Sequence, residues 1–136
     1  MKKAMEKIFV SKIENLKLAR AFIYEVLNDY NTPSAVIGKA QVIAEEILSN
    51  IIKYGYCDTL TISSLINLKL TISASNTIIM KFIDTGSGFN PINYNYDTEK
   101  RDIGGMGIKI VKNLSKEMTY KRKNDKNILT IYILGQ

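Results

Sequence analysis

Three groups of residues in this sequence have the types and spacing for chemistry. The first is Glu46 with Asn50, one helical turn apart. On a wheel of 3.6 residues per turn, Val36, Ile37, Ala40, Ile43, Ala44, Ile47, Leu48 and Ile51 fill one broad apolar arc. Glu46 and Asn50 fall just beyond its Ile43 edge, where a carboxylate and an amide can address one ligand, whereas Glu45 falls on the far side and is expected to face water. On the helix alone an ordinary polar border would look the same. The second group is the string Phe82-Ile83-Asp84-Thr85-Gly86-Ser87-Gly88-Phe89. A strand here delivers Asp84 to its end, and Gly86 and Gly88 let the backbone pass close to a flat ligand. A carboxylate fixed in that place can accept a hydrogen bond from an exocyclic amine, worth about 1.5–3 kcal/mol for a charged acceptor. The third group is Gly104-Gly105-Met106-Gly107, followed by Ile108, Ile110, Val111 and Leu114. Glycines that open a helix leave its first N–H groups unobstructed, and the helix dipole favours anions there, phosphates among them. It is not a P-loop, since no Gly-Lys-Ser/Thr follows, and it does not close a first strand-helix unit as the dinucleotide fingerprint does.

The elements that must position these groups can be read from periodicity. Residues 5–13 predict a strand with Ile8, Val10 and Ile13 on one face, and Glu14 to about Tyr30 a helix carrying Leu16, Ala19, Phe22, Ile23, Val26 and Leu27. Thr32 reads as an N-cap with Pro33 at the first position of a second helix, which runs to Tyr54 and stops at Gly55. Two β-rich pairs follow: Leu65–Ser75 with Thr77–Asp84, split at Asn76-Thr77, and Met118–Lys123 with Ile128–Leu134, split at Asn124-Asp125. Between them lie a loop from Gly86 to Arg101 and a short helix reaching about Glu117. This order predicts an α+β fold, a two-layer sandwich of one mostly antiparallel sheet with helices on one face, occupying residues 1–136 as a single domain.

Composition narrows the chemistry. The 136 residues include no histidine and a single cysteine, Cys57, which excludes disulfide scaffolds, zinc clusters, Ser-His or Cys-His triads and a phosphohistidine relay within this chain. No apolar run reaches the roughly 18 residues of a membrane span, and Glu6 and Lys7 interrupt the start where a signal peptide would be apolar, so a cytoplasmic protein is expected. Lys plus Arg number 19 against 13 acidic residues, a net charge of +6, and Lys109, Lys112, Lys116, Lys121, Arg122, Lys123 and Lys126 fall near the C-terminus. That stretch suits an anionic partner or a solvated face. Nucleic acid is disfavoured, because Tyr120 is the aromatic residue interleaved with these charges.

Taken in order, Glu46 with Asn50, then Asp84-x-Gly86-x-Gly88, then Gly104-Gly105-x-Gly107 resemble the three boxes of the GHKL ATPase superfamily, which includes gyrase and the sensor histidine kinases. Within it, Glu46-x-x-x-Asn50 running on to Tyr54-Gly55-Tyr56, and the string Asp84-Thr85-Gly86-Ser87-Gly88-Phe89-Asn90-Pro91, look most like the bacterial anti-sigma factor serine kinases. The resemblance spans residues 6 to 134. It implies a Bergerat-type fold and binding of ATP with Mg²⁺. Asn50 would be the Mg²⁺ ligand, Glu46 the general base toward a serine hydroxyl, and Asp84 the reader of the adenine amine. Gly86 and Gly88 would form the base-side turn, Gly104, Gly105 and Gly107 the phosphate-side turn, and residues 92–103, with Lys100 and Arg101, the lid. Thr130 would offer an adenine-side hydroxyl, in a strand where Asn127-Ile128-Leu129-Thr130 stands in place of the usual Gly-Thr-Thr, and Arg20 would face a partner. Tyr54 replaces the histidine commonly found before Gly55. The resemblance implies a protein serine/threonine kinase that phosphorylates an anti-anti-sigma factor and sequesters a sigma factor. The alternative is an ATP-binding partner-switching module with little or no kinase activity. A second copy of the chain is a further candidate partner.

Overall fold

The computed structural model describes residues 3–55, 64–86 and 103–135. Strand β1 (Lys3–Val10) leads through a 3₁₀ turn (Ile13–Asn15) into helices α1 (Leu16–Asp29) and α2 (Ser34–Asn50), and α2 continues as one π-helical turn (Ile51–Gly55). Then come β2 (Leu65–Ile72), β3 (Thr77–Asp84), α3 (Ile103–Leu114), β4 (Glu117–Lys123) and β5 (Lys126–Leu134). The five strands form one sheet in the order β1-β2-β3-β5-β4, and every neighbouring pair is antiparallel. The α+β sandwich expected from the order of periods is the fold observed.

Alternation along the strands assigns the two faces. Ile66, Leu68 and Leu70 of β2, Ile78, Met80 and Phe82 of β3, and Leu129, Ile131 and Ile133 of β5 are buried, while the residues between them point away. Onto that buried face pack Ala19, Ile23, Val26 and Leu27 of α1, Ile43, Ile47 and Leu48 of α2, and Ile108 and Val111 of α3. The turns match their residue types. In the β4–β5 hairpin Asn124 and Asp125 both adopt positive φ, 53° and 61°, as a two-residue mirror-image turn demands, and Asn76 does so at 62° between β2 and β3.

Two expectations need correction. In β1 it is Phe9 that faces the core, so Ile8 is 56% exposed, and Ile13 leaves the strand altogether and is 52% exposed. With a period of two, only one phase can be buried, and Phe9 takes it. Thr32 is not the cap of α2. Pro33 holds that place in an extended conformation, and its carbonyl accepts the N–H groups of Val36 and Ile37. Among the described residues no helix is long and apolar enough to cross a membrane.

Candidate functional site

Asp84 is the last residue of β3, lies on the covered face, and is 5% exposed. Its Oδ1 accepts the backbone N–H of Gly86 at 2.9 Å and the side-chain N–H of Asn127 at 3.0 Å. Burial pushes the carboxyl above its ordinary range, against the opposing pull of the Asn127 and Gly86 hydrogen bonds and of the Arg122 charge. At the end of α2, Asn50 is 4% exposed, and its Nδ2 has no hydrogen-bond partner among the described residues. Asn50 and Asp84 border one cavity of about 20 Å³, shared with Ile47, Ile51, Tyr120, Asn127 and Leu129. That is about one water in size.

The glycine-opened helix meets the first group of residues directly. A Cβ on Gly107, in the first turns of α3, would overlap the carboxylate of Glu46. Gly107 is buried, Glu46 half-buried, and the missing side chain of one makes room for the charge of the other. Gly104 and Gly105 lie in the opening turn of α3, just before Gly107. The structure therefore gathers Glu46, Asn50, Asp84, Gly86 and Gly107 at one end of the sandwich. Gly88, Lys100, Arg101 and the rest of 92–102 lie outside the described residues.

Other expected residues stand elsewhere. Thr130 pairs with Lys81 in the sheet, three residues after Asn127, and the pleat turns it to the opposite face from Asp84. There it lines a larger cleft, of about 410 Å³, with Lys69, Lys81, Lys121 and Tyr132. Among the described residues that line it there is no carboxylate and none of the three sequence groups, so its size does not make it the reactive site. Arg20 is on α1, exposed, and ion-paired with Glu45, with its carbonyl accepting Gln41 Nε2 at 3.2 Å. Glu45 thus faces α1 and an arginine, not open water as expected, though an exposed pair of this kind contributes only about 0–1 kcal/mol.

The sequence reading did not single out Asn127, Arg122 and Tyr120 as neighbours of Asp84. Asn127 is 5% exposed and stands directly opposite Asp84 in the β3–β5 register. Its Oδ1 accepts Arg122 Nη1 at 2.8 Å and the Tyr120 hydroxyl, and Arg122 Nη1 also reaches the Gly86 carbonyl at 3.1 Å.

The raised titration of Asp84 has a consequence for stability. A native carboxyl that holds its proton more tightly than in the unfolded chain favours folding while protonated. Stability from this group is therefore lost as pH climbs from about 4 through the native value. Asp84→Asn keeps an acceptor for both donors and removes the buried charge. Its melting temperature without ligand should rise relative to wild type at pH 7, with the gap closing toward pH 4. Calorimetric melts of both proteins across that range measure it, and an equal or lower melting temperature for the variant at pH 7 would contradict the burial argument.

An antiparallel sheet layered by helices, with an amide, two carboxylates and a glycine-opened helix at one end, defines the α+β class of the GHKL ATP-binding fold. The chain belongs to the histidine kinase-like ATPase domain family, whose model matches residues 9–133. It is similar in structure to the crystal structure of the RsbU and RsbW domains of Rv1364c from Mycobacterium tuberculosis, with a TM-score of 0.72 at 14% identity over 97% of this chain and 32% of that one. It is also similar to the histidine kinase domain of the blue-light activated histidine kinase EL346 from Erythrobacter litoralis, with a TM-score of 0.56 at 16% identity over 89% of this chain and 59% of the other. A second structure of the EL346 kinase gives 0.59 at 18% identity over 87% and 41%. The chain thus spans about a third of the first of these and less than two thirds of the others. No curated protein matches it significantly.

Proposed function

We propose that this chain binds Mg-ATP and transfers the γ-phosphoryl group to a serine hydroxyl on an anti-anti-sigma-like partner, and that it holds a sigma factor as the other side of the switch. The observation that carries the reading is the contact of Glu46 with Gly107. A half-buried carboxylate laid against the early turns of α3 is poorly placed for binding phosphate itself, since both are anions and repel. It is well placed to accept the proton of a hydroxyl arriving beside the phosphates. A module that only binds nucleotide needs no general base, and a carboxylate in this place supports the kinase over the partner-switching module without turnover.

The orphaned amide of Asn50 fits a divalent cation. Rotated end for end, it offers a hard oxygen at a buried edge, with no competing partner among the described residues. Magnesium takes few protein ligands and completes its shell with water and phosphate, so one amide oxygen suffices. When bound it would neutralise phosphate charge and hold the γ-phosphoryl group in line. Asp84 reads an amine on the base, Gly86 keeps the backbone clear beside it, and Glu46 receives the hydroxyl proton. The likeness to a protein with an RsbW domain supports a partner-switching setting.

The test has two stages. Mg-ATP at about a hundred times its dissociation constant should stabilise the fold by roughly 2.7 kcal/mol, a melting shift of several degrees for a domain of this size. GTP should do far less, because guanine presents a carbonyl where adenine presents its amine. Equal shifts for both would overturn the role of Asp84. Labelled Mg-ATP incubated with small candidate partner proteins should then yield phosphoserine on one of them. ATP binding without transfer to any partner would favour the module.

A further inference from the structure

The side chains of Asp84, Asn127 and Arg122 stand in one row across three strands. Asp84 is directly opposite Asn127 between β3 and β5, and Asn127 is directly opposite Arg122 between β5 and β4. A carboxylate, an amide and a guanidinium in one cross-strand row form a chain of donors and acceptors with a single direction. The guanidinium only donates, the amide does both, and the carboxylate only accepts.

That direction fixes orientations. Torsion about the last bond of an aspartate or asparagine is broad, so neither residue alone holds a set direction. Asn127 Oδ1 is bound by Arg122 Nη1 at 2.8 Å and by the Tyr120 hydroxyl, which forces its NH₂ end toward Asp84. Among the described residues both hydrogen bonds to Asp84 fall on Oδ1, from Asn127 and from Gly86. The other carboxylate oxygen keeps its accepting capacity for the cavity that Asp84 lines. Arg122 also donates to the Gly86 carbonyl at 3.1 Å, so one guanidinium braces both residues that hold Oδ1. Chains of this kind gain strength from mutual polarisation.

We propose that Asn127, oriented by Arg122 and Tyr120, is the positioning residue that fixes Asp84 and so sets the preference of the site for a purine bearing an amino group over one bearing a carbonyl at the same position. The inference rests on the nucleotide-binding reading above and deepens it. Asn127 and Arg122 act through Asp84. A fixed acceptor rewards a ligand donor and penalises a ligand acceptor, whereas a freely turning carboxylate discriminates less.

The experiment compares ATP with inosine triphosphate, which replaces the amine by a carbonyl on the same scaffold, using the full chain and titration calorimetry. Wild type should prefer ATP. Asn127→Ala should lower ATP affinity by roughly tenfold, about 1.4 kcal/mol, and leave inosine triphosphate nearly unchanged, so that the ratio collapses. Arg122→Met should narrow the ratio and Arg122→Lys should restore most of it, because the lysine keeps a charged donor. Arg122 is exposed, so these two variants report even if Asn127→Ala fails to fold. A general structural defect would weaken both nucleotides together, and an unchanged ratio in Asn127→Ala or Arg122→Met overturns the proposal. A second readout needs no nucleotide. Hydrogen exchange of the Asn127 side-chain amide, followed by NMR, should be slow in wild type and fast in Asp84→Ala and Arg122→Met. If wild type binds neither nucleotide, the binding reading fails and the exchange decides the row by itself: fast exchange in wild type ends it.

Discussion

Replacing Asn50 with alanine should abolish Mg²⁺-dependent nucleotide binding and phosphoryl transfer together, while leaving the unliganded fold as stable as wild type or slightly more so. The two halves of that expectation come from one observation. Asn50 is 4% exposed and its Nδ2 has no partner among the described residues, which leaves an amide end desolvated there without a hydrogen bond in return. Truncation removes that burden at the cost of a small gap beside Ile47 and Ile51. The same truncation deletes the oxygen that would hold Mg²⁺, and with it the charge neutralisation on which phosphoryl transfer depends. ATP affinity should drop at least tenfold in the presence of Mg²⁺, with a smaller change in its absence, and transfer should fall below detection. Melting curves with and without Mg-ATP and calorimetric titrations with and without the metal measure both halves. A variant that melts lower yet binds Mg-ATP normally would show that Asn50 is a packing residue.

How much of this was legible in the sequence follows the range of each interaction. The α2 arc, the positive-φ hairpin residues Asn124 and Asp125 and the glycines before Ile108 are local signals, and each predicted its element closely. The phase of β1 is ambiguous in the sequence because Ile8 and Val10 offer an alternating apolar pair that competes with the single large Phe9. Thr130 was misplaced because its role was carried over from a motif that this strand does not reproduce, and a shift in phase within a strand changes the face. The missed row divides in the same way. A two-residue turn at Asn124-Asp125 forces Arg122 opposite Asn127, so that pair could have been read from the hairpin. The pairing of Asn127 with Asp84 depends on the register of β3 against β5, 43 residues apart, and no local pattern carries it. The ion pair of Arg20 with Glu45 joins two helix surfaces, and its cause is how α1 lies on α2.

The sharpest separation of catalysis from binding comes from removing the Glu46 carboxylate and, independently, from displacing it. Glu46→Ala should slow transfer by about 10² to 10⁴, the usual worth of a positioned base, with the lower end expected because phosphoryl transfer leans more on positioning and electrostatics than on proton removal. ATP affinity should stay within a few fold, since the carboxylate meets the incoming hydroxyl and not the nucleotide. Gly107→Ala reaches the same carboxylate from the opposite side. Its new methyl group would overlap the far end of the Glu46 side chain, which is flexible and can swing away at little cost to the fold. Alanine within a helix also gains up to about 1 kcal/mol over glycine. The variant should therefore melt at or above the wild-type temperature and still lose most of its transfer rate, a combination that general damage to the fold does not produce. Glu45→Ala is the control: its carboxylate pairs with Arg20 on the α1 side, so transfer and ATP affinity should both remain within a few fold of wild type. Transfer rates under saturating ATP, nucleotide affinities and melting temperatures for the three variants complete the measurement. If Gly107→Ala transfers at the wild-type rate, the position of the Glu46 carboxylate against α3 has no part in the chemistry, and if Glu45→Ala is the silent enzyme, the base is on the other side of the helix.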